Sequence, residues 1–216
     1  MDIAQKKVLF LGDSITEGCG ASSVENCFVS LIAKNNPLAS VYNYGVGGTR
    51  IAPQKQDILN GIPRNDFIKR AAAMEKKADL VCVFGGTNDY CHGDAPLGKF
   101  GDKTPDTFYG ALYTLSTYLQ NNYLNAQIVF FTPLHRSDEE VKTIKPDGEH
   151  ILKEYVEAVK QNAEYFSFPV LDLWKEGGMQ PCVPSVKKEY MPDGLHPNDK
   201  GYERLANKVQ KFIETL

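Results

Sequence analysis

Short runs of β-branched and aromatic residues alternate along this chain with longer stretches in which apolar residues recur every three or four positions. A short apolar run bounded by turn residues reads as a buried strand, and the pattern predicts strands at Val8–Leu11, Val41–Tyr44, Leu80–Gly85, Ile128–Phe131 and Val170–Leu173. Helical spacing puts Phe108, Leu112, Leu115 and Leu119 on one face, behind Thr104 and Pro105, which suit an N-cap and a first-turn proline. Ile151, Tyr155, Val159 and Ala163 repeat that spacing, as do Tyr202, Leu205, Val209 and Phe212. Less regular stretches predict helices over Glu25–Lys34 and Arg64–Lys77.

Strand and helix thus alternate five times. Parallel strands need crossover connections and hide both faces, so this order predicts an α/β, three-layer fold: a mainly parallel sheet of about five strands flanked by helices. No internal repeat, low-complexity tract or linker divides the chain, and one domain over residues 1–216 is expected. In such a sheet the ligand site lies beyond the carboxyl ends of the strands. The residues that immediately follow each strand are therefore the candidates for chemistry.

The first strand ends in GDS, placing Ser14 at that edge behind Gly12 and Asp13. The GxSxG elbow of α/β-hydrolases is absent. After the second strand come Gly45, Gly47 and Gly48, which let a backbone N–H approach a ligand without a Cβ in the way. Neither GxGxxG nor GxxxxGK[ST] fits there, so the loop does not read as a phosphate cradle. The third strand delivers Asn88, whose amide can donate to a negative oxygen without titrating. Its neighbour Asp89 is expected to be a local cap or a backbone bond acceptor, not a catalyst. After the fifth strand, Asp193 stands three residues before His196, a spacing that lets a carboxylate hold one ring nitrogen while the other faces outward. The remaining histidines, His92, His135 and His150, are read as surface or loop residues without a carboxylate behind the ring.

Each of these signals occurs widely in turns; their coincidence at successive strand ends is what carries weight. With GDS at Gly12 to Ser14, the glycine loop at Gly48, GGTND at Gly85 to Asp89 and DGLHP at Asp193 to Pro197, the chain resembles the SGNH hydrolases, the GDSL-type esterases and acylhydrolases. The resemblance spans nearly the whole sequence and implies a flavodoxin-like sheet. It implies a catalytic triad of Ser14, His196 and Asp193 and an oxyanion hole from Ser14, Gly48 and Asn88. Gly48 is preferred over Gly45 and Gly47 because the family spaces this glycine five residues after an Asn, here Asn43. GDSI in place of GDSL exchanges one aliphatic side chain for another.

The implied activity is serine esterase, with no cofactor and no metal. The segments Tyr90 to Lys103, Leu134 to Gly148 and Lys175 to Met191 are expected to be connecting loops that wall the pocket. Their mixed character, with Phe100, Arg136, Lys145 and Trp174, favours short-acyl esters such as acetylated carbohydrates or other small alcohols. Trp174 could stack on a sugar ring, though packing is the simpler role, and Arg136 could meet an anionic substrate or remain a solvated loop charge. Alternatives are a lysophospholipase or thioesterase acting on longer acyl chains, a metal-dependent phosphoesterase using Asp13, Asp89, Asp193 and His196, and a catalytically silent binding module.

Composition narrows the partners. The 24 basic and 27 acidic residues give a net charge of −3, without the clustered positive surface that a nucleic acid demands. No apolar run approaches the roughly 20 residues of a membrane-spanning helix, and the VLFL run near the N-terminus is too short for a signal-peptide core. A soluble, cytoplasmic protein acting on a small-molecule ester is expected. Five cysteines, without CxxC spacing, suggest neither a disulfide framework nor a zinc knuckle.

Overall fold

A computed structural model describes residues 1–55 and 65–216, with the backbone alone of two short paired strands, Ile58–Leu59 and Ile62–Pro63, between them. The central sheet comprises β1 (Lys7–Gly12), β2 (Ser40–Gly45), β3 (Leu80–Phe84), β4 (Gln127–Phe131) and β5 (Val170–Leu171). All neighbours are parallel, in the spatial order β2, β1, β3, β4, β5. This doubly wound order reverses direction between β1 and β3, where open α/β sheets leave a crevice for ligands. The register aligns Gly12 with Gly45 and with Phe84, so the loops leaving β1, β2 and β3 start at one level.

The helices are α1 (Ser14–Glu17), α2 (Phe28–Asn35), α3 (Phe67–Ala73), α4 (Thr87–His92), α5 (Phe108–Asn122), α6 (Leu152–Tyr165), α7 (Leu173–Glu176), α8 (Pro184–Tyr190) and α9 (Asp199–Thr215). Successive side chains of a strand point to opposite faces, and here both faces are apolar. Leu9, Leu11, Val81, Val83, Ile128 and Phe130 belong to one core with residues of α3, α5 and α6. Val8, Phe10, Cys82, Phe84, Val129 and Phe131 belong to the other, with α2 and α9. In α9, Tyr202, Leu205, Val209 and Ile213 are all buried; burying each such side chain is worth about 1.5 to 3 kcal/mol. That anchors the helix whose first turn follows the DGLHP loop.

The structure departs from the predicted elements where side chains rewrite the ends. β5 stops at Leu171, because Asp172 leaves the sheet and caps α7, accepting the Lys175 N–H at 3.1 Å. Leu173 therefore starts a helix instead of ending a strand. β3 stops at Phe84, before the turn at Gly85 and Gly86. The cap of α5 is Thr107, whose hydroxyl accepts the Gly110 N–H at 3.0 Å, while Thr104 and Pro105 stay in the preceding turn. The stretch Glu25–Lys34 is divided at Cys27, which is extended, into a single 3-10 turn over Val24–Asn26 and α2. α3 is shorter than the predicted Arg64–Lys77, beginning where Asp66 accepts the Lys69 N–H at 2.9 Å, and Arg64 lies outside the described residues. The segments read as plain loops carry regular structure. α4 extends to His92, a hairpin of Thr143–Lys145 and Gly148–His150 lies beyond β4, and α8 occupies much of Lys175 to Met191.

Candidate active site

Asp13 ends the first strand's loop by accepting the Ile15 N–H at 3.0 Å, which makes Ser14 the first residue of the one-turn helix α1. Ser14 is buried. From the other end of the chain, His196 places Nε2 2.9 Å from Ser14 Oγ. Its Nδ1 lies 2.7 Å from Asp193 Oδ2. The second carboxylate oxygen of Asp193 accepts the N–H groups of Leu195 and His196 at 2.8 and 2.7 Å. One oxygen thus shapes the loop and the other holds the ring, which explains the three-residue spacing. Burial pushes the Asp193 carboxyl upward, but the bonds from His196 and Leu195 and the histidine's charge outweigh it and hold the group below its usual range. An ionised Asp193 keeps a hydrogen on Nδ1 and leaves the Nε2 lone pair for the Ser14 hydroxyl.

Asn88 enters from β3. Gly86, at φ 111°, turns the chain into α4 through a conformation that side-chain-bearing residues avoid, and Asn88 follows two residues later. Its Nδ2 donates to the Thr49 carbonyl at 3.0 Å, joining it to the glycine loop. The three glycines there differ in what their N–H groups do. Gly45 donates to Asn43 Oδ1 at 2.8 Å and Gly47 to Glu17 Oε2 at 2.7 Å. Gly48 has φ 71°, and among the described residues no acceptor takes its N–H. The loop is close to the serine: a Cβ added at Gly47 would lie 3.5 Å from Ser14 Cβ.

Arg70, which no motif reveals, and the motif residue Asp89 hold these loops together. Arg70 of α3 donates to Thr49 Oγ1 at 2.7 Å and to the Gly12 carbonyl at 2.9 Å, and also to the Tyr44 carbonyl, tying the ends of β1 and β2 to the glycine loop. Burial lowers its guanidinium to about 10, so it remains a cation at neutral pH. The Asp89 carboxylate accepts the N–H groups of Ile51 and Ala52 at 3.0 and 2.9 Å. Burial raises both Asp13 and Asp89 to about 6 against the lowering effect of their backbone bonds. Gly20 makes room for the histidine, since a Cβ there would meet His196 Cβ at 2.9 Å. Among the described residues, no group of three or more His, Cys, Asp or Glu side chains is disposed to hold a metal ion.

Several side chains differ from their expected settings. Arg136 is buried, not solvated: it pairs with Asp138, donates to Thr87 Oγ1 at 3.1 Å and covers the Tyr90 ring, which pins the segment after β4 onto α4. Lys145 is also buried and donates to the Asp89 and Gly93 carbonyls at 2.8 and 2.7 Å, closing the C-terminal end of α4. Trp174, by contrast, takes the packing role, against the His135 ring at a centroid distance of 4.0 Å. The other histidines do have partners. His135 Nδ1 meets Glu139 at 2.8 Å, His150 lies between Asp147 and Glu154 at 3.1 and 3.0 Å, and exposed His92 bridges Asn88 and Arg50. The carboxylates at Glu139, Asp147 and Glu154 stand in the sequence three or four positions from their histidines, spacings that signal these pairs.

The match that decides the family covers most of the chain: the model of the GDSL-like Lipase/Acylhydrolase family fits residues 10–204. The chain belongs to that family. As a GDSL-family member it is a hydrolase of the lipase and acylhydrolase kind. No curated protein matches this sequence. Among solved structures, a protein from Lactobacillus plantarum is 29% identical, with a TM-score of 0.83 over 99% of each chain. A lipase/acylhydrolase from Enterococcus faecalis shares the fold at 20% identity and a TM-score of 0.64, over 97% of this chain and 96% of the other. So does a two-domain esterase active on acetylated mannans, at 20% identity and a TM-score of 0.60, over 97% of this chain and 49% of that one. Among the described residues, no helix of this GDSL-family chain is long and apolar enough to cross a membrane.

Proposed function

We propose that the protein is a carboxylic ester hydrolase of one domain, residues 1–216, that removes short acyl groups such as acetate from carbohydrates or other small alcohols. The observation that carries the reading is the line Asp193, His196, Ser14, with contacts of 2.7 and 2.9 Å at the sheet edge. Ser14 Oγ attacks the ester carbonyl carbon as His196 Nε2 takes the hydroxyl proton. Collapse of the tetrahedral intermediate breaks the bond to the alcohol oxygen, which receives that proton from His196. Water then attacks the acyl-serine by the same route, releasing the acid and restoring Ser14. Asp193 holds the ring and stabilises the transient imidazolium.

The negative oxygen of the intermediate is met by the N–H groups of Ser14 and Gly48 and by the Asn88 amide. Gly48 suits this role because Gly45 and Gly47 already donate to Asn43 and Glu17. The short-acyl preference rests on polar surroundings. Exposed Glu17 lies against the glycine loop, a charged carboxylate close to Ser14. The fold shared with an esterase active on acetylated mannans accords with a sugar acetate as substrate.

The test is hydrolysis of p-nitrophenyl esters from two to sixteen carbons, beside acetylated sugars scored by free acetate, with fluorophosphonate labelling of Ser14. Highest rates on acetyl and other short esters are expected. A rate that climbs steadily with chain length replaces this assignment with a long-chain lysophospholipase or thioesterase, and absence of both turnover and labelling removes the esterase reading.

A further inference from the structure

An asparagine amide is useful in an oxyanion hole in only one of its two orientations, because turning it over presents a carbonyl oxygen to the developing negative charge. At Asn88 the neighbours decide between them. The Thr49 carbonyl, 3.0 Å from Nδ2, can only accept. Oδ1 lies 3.1 Å from His92 Nε2. The other ring nitrogen, Nδ1, is 2.8 Å from Nη1 of Arg50, a buried residue. A guanidinium only donates, so Nδ1 must accept and the single hydrogen of the neutral ring sits on Nε2. The bonds then run in one direction, from Arg50 to His92 to Asn88 to the Thr49 carbonyl. One amide hydrogen is used by Thr49, and the second remains for the oxyanion under the role assigned to Asn88 above.

We propose that His92 is a positioning residue: Arg50 holds it in the Nε2–H form, and it locks the Asn88 amide with the NH2 end toward the reacting oxygen. Among the described residues the His92 ring bonds to Asn88 and Arg50, and its place four residues after Asn88 on α4 puts both on one side of the helix. The inference rests on the oxyanion role assigned to Asn88 above.

Three measurements test it, with acetyl ester turnover of the unaltered protein as reference. His92→Leu removes the ring's bonds to Asn88 and Arg50 and is expected to lower kcat about 10- to 100-fold, the scale of a misplaced catalytic group, with KM changed less than about twofold. His92→Gln keeps an acceptor for Arg50 and a donor for Asn88, and is expected to recover kcat to within about threefold of the unaltered protein. Added to Asn88→Ala, His92→Leu is expected to cause no further loss, since the group it orients is gone. A His92→Leu kcat within about twofold of the original, a His92→Gln variant no better than His92→Leu, or losses that multiply in the double variant each overturn the proposal. Nitrogen-15 NMR of the unaltered protein gives an answer independent of activity and of whether variants fold: Nε2–H at His92 is expected, and Nδ1–H overturns it. If no ester turns over and Ser14 resists labelling, the esterase reading fails by itself, while the NMR result still decides the direction of the Arg50–His92–Asn88 bonds.

Discussion

The hydroxyl of Tyr202 donates to the carbonyl of Cys19 at 2.7 Å across 183 positions of sequence. This partly buried bond fastens the first turn of α9 to the loop that follows α1. Asp199 adds to it by accepting the Ser22 N–H and hydroxyl at 2.8 and 2.6 Å. These bonds close the distance between Ser14 and His196, which neither residue controls through its own neighbours in sequence.

Tyr202→Phe keeps the ring, stacked on Phe28, and leaves the Cys19 carbonyl without its donor. A loss of about 1 to 2 kcal/mol in urea unfolding is expected. Unfolding free energy unchanged within error shows that the Tyr202 bond contributes nothing to the closure.

The Asp193 carboxylate selects the ring tautomer that faces Ser14. Asp193→Asn can still receive the Leu195 and His196 backbone N–H groups through Oδ1, so the loop is expected to survive. The amide in place of Oδ2 favours the wrong tautomer, and kcat on acetyl esters is expected to fall about 10³- to 10⁴-fold, as when a triad carboxylate is lost elsewhere. A thermal scan showing the fold intact, with kcat within tenfold of the original, contradicts this role.

Asn88→Ala removes one donor to the oxyanion, a change that costs about 2.7 to 4 kcal/mol of transition-state stabilisation. Steady-state kinetics should show the loss in kcat, with KM little altered, because the contact strengthens as charge develops. Equal turnover in the variant rules out the amide as a donor.

Asp13 lies buried beneath the serine, and its carboxyl is raised from the ordinary 3.8 to about 6. Between those values the folded protein keeps a proton that the unfolded chain releases, so this group's contribution to stability is complete below about pH 4 and is lost as pH rises through 6. Asp89 acts in the same sense. Asp193, Asp147 and Asp172, held below 3.8, act in the opposite sense and only in more acid solution. Asn at position 13 can still accept the Ile15 N–H but carries no charge. The stability of Asp13→Asn relative to the original is therefore expected to improve from pH 4 to 6.5 by on the order of 2 to 3 kcal/mol and then to level off. A difference in unfolding free energy that does not vary with pH contradicts the shift.

The alternation of strand and helix was legible because it depends on periods of two and 3.6 residues, which adjacent side chains express in any window. Ser14 and the Asp193–His196 pair were legible for a similar reason: a serine after a strand and a three-residue carboxylate-to-imidazole spacing are local arrangements. Element ends were less so, since Asp172 and Thr107 compete with the hydrophobic pattern through single hydrogen bonds to backbone N–H groups. Only the tertiary structure decided that Arg70 joins β1, β2 and the glycine loop, that Arg136 and Lys145 are buried around α4, and how the N–H groups of Gly45, Gly47 and Gly48 differ. It alone brought Arg50, 42 positions from His92, within reach of that ring. These residues bond to backbone carbonyls or to side chains remote in the chain, and a carbonyl is present at every residue. Such a partnership leaves no mark in composition or spacing; it exists only once packing has put the donor and acceptor face to face.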